Sequence, residues 1–153
     1  MSFPAVEEVI PHAGRMVLID QILEFSEHGI VCQSTIREDN PYLGSDRQVG
    51  PWIALEYLSQ ALAAHSGLEA RERGESPSVG FLLGTRKFKN HSGERFRIGQ
   101  SLRISARRTW QQSGMALCEG AIHDAESGAL LIDAALSVFL PESTEQFDGV
   151  FKR

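Results

Sequence analysis

The stretch Gly50-Pro51-Trp52-Ile53-Ala54-Leu55-Glu56-Tyr57-Leu58-Ser59-Gln60-Ala61-Leu62-Ala63-Ala64-His65 decides the fold. Proline suits the first turn of a helix, where its missing N–H would have had no partner. The residues that follow are rich in strong helix formers. They place apolar side chains on nearly every face, the pattern of a helix buried inside a domain rather than laid on its surface. The polar exceptions fall on one stripe. Glu56, Ser59 and Gln60, continued by Ala63 and Gly67, share a face because residues three and four apart are neighbours on a helix. A carboxyl group in such a setting marks where any chemistry should centre, and Glu56 reads either as that group or as a helix glutamate that finds a salt bridge or faces solvent. The sequence turns polar at Glu69-Ala70-Arg71-Glu72-Arg73, and the helix, assigned to 51–70, is expected to end near Gly74.

Working outward, Met16 to Phe25 and Ile30 to Ile36 read as a hairpin. Its turn lies at Glu27-His28-Gly29, with a positive φ expected at the glycine. Residues 37–50 are polar, contain Pro41, Gly44 and Gly50, and read as a loop. Beyond Pro77, strands are expected near Val79–Lys89, Ser101–Gln111, Met115–His123 and Leu130–Leu140. Turns between them fall at Ser92-Gly93, Ser113-Gly114 and Ser127-Gly128, which suggests an antiparallel meander. The order is two strands, one long buried helix, then four strands: an α+β fold in a single domain, 1–141. Pro141 ends it, and the tail 142–153 is expected to be mobile. One helix cannot cover both the face and the edges of such a sheet, so dimerisation through an extended sheet is expected.

Length and composition set outer bounds. A chain of 153 residues holds one ordinary core. Its 42% hydrophobic and 23% charged residues are close to globular averages. A net charge of -5 excludes the chain as a whole from the obvious binders of nucleic acid or anionic membrane. No run approaches the roughly 18 apolar residues of a membrane span. The opening residues have neither a basic start nor an apolar run of signal length, so a cytoplasmic location is expected. Cys32 and Cys118 lie far apart, with no CxxC pairing and no metal-ligand spacing around them. Buried free thiols are expected, although sequence alone leaves a disulfide open. Neither metal nor cofactor is called for.

Two segments carry a resemblance. Pro11-His12-Ala13-Gly14-Arg15-Met16-Val17-Leu18-Ile19-Asp20 is similar to the opening strand of the hot-dog-fold β-hydroxyacyl-[acyl carrier protein] dehydratases. Asn40-Pro41-Tyr42-Leu43 and Leu55-Glu56-Tyr57-Leu58-Ser59-Gln60-Ala61 resemble their active-site loop and central helix, and Arg86-Lys87-Phe88-Lys89 the strand that follows. The helix phrase from Trp52 to Gly67 is closer still to the dehydratase-like subgroup of aryl polyene pigment pathways. The resemblance covers about residues 9–140. It implies a curved antiparallel sheet around one central helix, and loss of water from a 3-hydroxyacyl thioester. A loop histidine acts as base, a helix carboxyl as acid, and a peptide N–H near the helix start polarises the carbonyl. In many members the histidine and the carboxyl come from different subunits.

Glu56 matches the helix carboxyl, and burial beside Trp52, Leu55 and Tyr57 is expected to suit it to act as an acid. Two elements do not carry over. The loop Asn40 to Gly50 contains no histidine, with Asp46 near its expected place, and the position five residues before Glu56 is Pro51, which has no N–H. The remaining candidates are Asn40, Trp52 and Gln60 for substrate binding, and His12 as an alternative base. Gln60 is four residues past Glu56 and suited either to orient it or to bond backbone as a buried amide. Asn40 equally suits a turn with Pro41, and His65 reads as a packed or partly exposed histidine. Residues 86–108 hold eight of the fifteen basic residues against one acid, Glu94. They read as positive charge on two neighbouring strands, where Arg86, Lys87, Lys89, Arg95 and Arg97 would dock an acidic acyl carrier protein, or as a solvated face that discourages edge pairing.

Three functions compete. The first is a 3-hydroxyacyl-[acyl carrier protein] dehydratase of a fatty-acid or polyene type pathway, working on carrier-protein or CoA thioesters. It would act as a homodimer, or as a heterodimer with a second hot-dog subunit that brings the histidine. The second is an acyl thioesterase, which pairs a helix carboxylate with water and needs no loop histidine. The third is a non-catalytic subunit that binds acyl chains or carrier protein.

Overall fold

The computed structural model describes residues 2–76 and 80–139. The expected mobile tail, Pro141 and the start of the strand at Val79 lie outside them. A six-stranded antiparallel sheet wraps one long helix. Its strands are β1 (Gln21–Phe25), β2 (Gly29–Thr35), β4 (Phe81–Asn90), β6 (Ser101–Gln112), β7 (Met115–Asp124) and β8 (Leu130–Phe139), in the order β1-β2-β6-β7-β8-β4. β3 (Gln48–Val49) and β5 (Phe96–Arg97) form a separate two-stranded ladder. No helix among the described residues is long and apolar enough to cross a membrane.

The helix forms as its sequence predicts. Gly50 is extended, Pro51–Ile53 make a 3-10 turn, and α1 runs Ala54–Glu72. It ends near Gly74, as expected: Gly74 at φ 72 donates to the Arg71 carbonyl and the next N–H, on Glu75, donates to the Ala70 carbonyl. That pair of bonds closes the last turn, and only a left-handed residue such as glycine makes it cheaply. Tyr57, Leu58, Ala61 and Ala64 are fully buried. α1 packs across β2, β6 and β7. At Gly120 of β7 a Cβ would stand 2.5 Å from Leu58 Cδ2, so the glycine sets how closely helix and sheet approach.

Several expectations are corrected. The first strand begins at Gln21, not Met16, because Gly14–Met16 forms a 3-10 turn and Val17, Leu18 and Ile19 are buried as irregular chain. Gly29 does not take a positive φ. It is needed for close approach, since a Cβ there would lie 2.9 Å from the Ala106 carbonyl oxygen. The later turns do hold left-handed glycines at 93, 114 and 128. β3 and β5 were not read from the sequence; strands of two residues carry no periodicity. The two basic segments are not neighbours, because β7 and β8 separate β6 from β4. Most of their charges are paired: Arg103 with Glu24, Arg107 with Glu119, Arg108 with Glu69 and Lys87 with Asp133. Cys32 and Cys118 are buried free thiols, pushed up to about 12 and about 11 by burial.

Candidate active site

Residues 9–18 lie against α1, and Pro11 and His12 among them form part of the wall of the site. Val9 packs on Gly67, where a Cβ would come within 1.8 Å of the Val9 carbonyl oxygen. Further along, the same segment clamps Gln60. The Gln60 side-chain oxygen accepts from the Leu18 N–H at 2.8 Å, and its amide nitrogen donates to the Met16 carbonyl at 2.6 Å. The same nitrogen donates to Glu56 Oε1 at 2.9 Å. Gln60 is completely buried and so fixes the Glu56 carboxyl group. Between these contacts the segment brings His12 to the helix, with Nε2 3.5 Å from Glu56 Oε1.

Glu56 and His12 line a cavity of about 400 Å³. Its other walls are Tyr42 from the loop, Trp52, Leu55, Ser59 and Leu62 from the helix and its first turn, and Phe81 and Leu82 from β4. This is an apolar pocket with a few convergent polar groups, the usual form of a small-molecule site. Burial and the nearby Glu56 charge push the Tyr42 phenol above its ordinary range. The full enclosure expected of Glu56 is not built by the described residues: its side chain is 30% exposed, and Trp52 is 58% exposed. One wall is the sheet's edge strand, where Leu82 and Leu83 also face solvent. A larger groove of about 470 Å³ lies on the outer face of β6, β7 and β8, but its charges are spent in the Lys87–Asp133 and Arg107–Glu119 pairs.

The structure thus brings Glu56, Gln60, Trp52 and His12 together. Asn40 does not line the cavity. Its amide nitrogen donates to the Tyr57 hydroxyl at 3.1 Å and its oxygen accepts from the Tyr42 N–H at 2.8 Å, the turn-forming alternative. Asp46 is also outside, 3.0 Å from Arg95 in an ion pair. Arg95 in turn lies 5.3 Å from the centre of the Trp52 ring, at the cavity's rim. Arg97 pairs with Glu94 at 3.8 Å, while Arg86 and Lys89 have no ion-pair partner among the described residues. Tyr42 was missed as a site residue; its position directly after Asn40-Pro41 in the resembling loop was the available signal. His65 is buried and packed, as expected.

Comparison with known proteins follows the same line. The chain is similar to the dehydratase heterocomplex ApeI:P from Xenorhabdus doucetiae, with a TM-score of 0.86 and 29% identity over 97% of this chain and 99% of that one. It is 23% identical over 138 residues to the 3-hydroxyacyl-[acyl-carrier-protein] dehydratase FabZ of Anaeromyxobacter dehalogenans (strain 2CP-C), covering 84% of this chain and 88% of that protein. Zebra fish thioesterase superfamily member 2 shares the fold at a TM-score of 0.63 and 15% identity, over 85% of this chain and 87% of that one. The model of the ApeP-like family, described as ApeP dehydratase, matches residues 4–149. With its antiparallel hot-dog sheet and central helix, the chain belongs to the ApeP-like dehydratase family.

Proposed function

We propose that this chain eliminates water from a 3-hydroxyacyl thioester carried by acyl carrier protein, with Glu56 as the acid. A second hot-dog subunit supplies the imidazole base. The observation that carries this reading is the Glu56 carboxyl group, fixed by buried Gln60 at the wall of an apolar cavity that the described residues leave open along β4. A base is needed to take the weakly acidic proton next to the thioester carbonyl, and the loop from Asn40 to Gly50 has no histidine. A subunit pairing along the β4 edge would cover the cavity and carry its own loop to the site. The relative solved as a dehydratase heterocomplex supports such a partner. Trp52 and Gln60 would position the acyl group and the carboxyl. Arg86, Lys87, Lys89, Arg95 and Arg97 would dock the carrier protein, with the whole reaction in the cytoplasm.

The thioesterase and non-catalytic readings are not favoured, since the family match is to a dehydratase. His12 is the in-chain imidazole beside Glu56 and the alternative base. The test is enoyl-thioester formation by the purified chain, alone and mixed with a hot-dog dehydratase subunit bearing a loop histidine. The mixture is expected to be at least about a hundredfold faster, the scale of losing a positioned base or an oxyanion donor, and Glu56→Gln to erase the gain. Ordinary rates from the chain alone, lost in His12→Asn, would move the base to His12.

A further inference from the structure

Gln60 donates to Glu56 Oε1, which also faces His12, so Oε2 is the carboxyl oxygen without a partner among the described residues. One turn further along the same face, Ser59 lines the same cavity. Its hydroxyl oxygen is buried and has no hydrogen-bond partner among the described residues. A helical serine usually satisfies itself by bonding back to the carbonyl four residues earlier, and Ser59 does not. A buried hydroxyl left this way is destabilising unless something else meets it. The wall around it is apolar, formed by Leu55, Leu62, Phe81 and Val138. The fold therefore keeps one hydroxyl and one free carboxyl oxygen, three residues apart on a helix face, in a pocket whose other polar groups are His12 and Tyr42 and whose remaining wall is fit for hydrocarbon.

We propose that Ser59 binds the leaving group: together with Glu56 Oε2 it holds the 3-hydroxyl of the acyl chain and receives it as water. This rests on the dehydratase reading. The partner subunit's imidazole takes the proton from C2. The C2–H electron pair becomes the C2=C3 double bond, the C3–O bond breaks, and the Glu56 proton goes to the departing oxygen, giving water and the enoyl thioester. A water leaving into an apolar pocket needs more than one polar partner, and a carboxylate with a hydroxyl beside it provides two. Such a site also selects: a group built to hydrogen-bond a substrate hydroxyl discriminates against the analogue lacking it.

The test uses the mixed complex with its histidine-bearing partner. Affinities for a 3-hydroxyacyl and a saturated acyl pantetheine thioester of equal length are measured in Glu56→Gln and in Glu56→Gln/Ser59→Ala, and kcat and KM in wild type and Ser59→Ala. The first protein is expected to prefer the hydroxylated ligand about tenfold and the second to lose that preference, while Ser59→Ala lowers kcat about tenfold. Because alanine is the better helix former and leaves no orphan hydroxyl, Ser59→Ala should melt no lower than wild type, which separates the effect from misfolding. An unchanged preference in Glu56→Gln/Ser59→Ala, with the wild-type complex dehydrating normally, overturns the role of Ser59 alone. No dehydration by the wild-type complex overturns the dehydratase reading and this inference with it.

Discussion

α1 carries two histidine–glutamate contacts, and they differ in what surrounds them. At its N-terminal half, His12 stands 3.5 Å from Glu56. At its C-terminal half, His65 Nδ1 stands 3.3 Å from Glu69. The second pair is spent on bonds within the protein. His65 Nε2 donates to the Ser26 carbonyl at 2.8 Å and its ring packs 5.1 Å from Phe25. Both Glu69 oxygens accept from Arg108, at 3.0 and 2.9 Å, and Arg108 also donates to the Glu27 carbonyl at 3.3 Å. The first pair borders a cavity and keeps unspent groups: His12 Nδ1 and the Ser59 hydroxyl are buried without partners among the described residues. The same two residue types thus tie helix to sheet at one end and wait for a ligand at the other. What distinguishes a site from a strut here is unsatisfied hydrogen-bonding capacity beside empty volume.

The largest expected effect breaks the comparison at its functional end. Glu56→Gln should lower dehydration by the mixed complex at least about a hundredfold with no loss of melting temperature. A parallel loss of fold would make Glu56 structural. At the other end, Arg108→Ala should strip Glu69 of both its guanidinium hydrogen bonds and cost about 2 kcal/mol, at the low side for a broken pair because both side chains keep some solvent contact. Differential scanning fluorimetry should register this as a drop of roughly 4–8 °C, while activity per folded molecule is retained. Equal stability would show that the network is ornamental.

A milder perturbation is pH. Burial holds His65 below its ordinary range. Burial acts to raise the Glu69 carboxyl, but the Arg108 hydrogen bonds and charge outweigh it and hold that group below its own range. A histidine with a lowered folded value binds protons more readily when unfolded, so stability is lost as pH falls below about 6.5. The depressed Glu69 carboxyl contributes stability above about pH 4.3 that is lost as pH falls through its folded value. Both act in the same direction, and urea midpoints should decline from pH 7 to pH 4. His65→Gln, which keeps a donor for Ser26, should flatten the upper part of that decline; an unchanged slope would remove His65 from it. The smallest effect lies far from both pairs. Reversing Arg86 and Lys89, which have no ion-pair partner among the described residues, should weaken carrier-protein binding about tenfold at low salt and less as salt screens the contact. Reversing Lys87, paired with Asp133, should do less.

The buried helix, its start at Gly50-Pro51, the succession of the main strands along the chain and the stripe of Glu56 and Gln60 were legible in the sequence. Each is local: a period of 3.6 or 2, a proline, a glycine turn, residues three or four apart. The carboxyl group and its orienting amide belong to one helix face, so their meeting required no knowledge of the rest of the chain. His12 could not be placed in this way, because the irregular segment 9–18 has no period, and its path is set by packing of Val9 on Gly67 and by the clamp on Gln60. The basic segments misled for the same reason: charge density along a chain says nothing about which strands pair, and two others lie between them. Sequence by itself determined the elements and the face that bears the carboxyl group. Only the tertiary structure decided that His12 meets Glu56, that Asn40 is spent on Tyr57, and that Ser59 is left with nothing to bond, since each depends on contacts between residues distant in the chain.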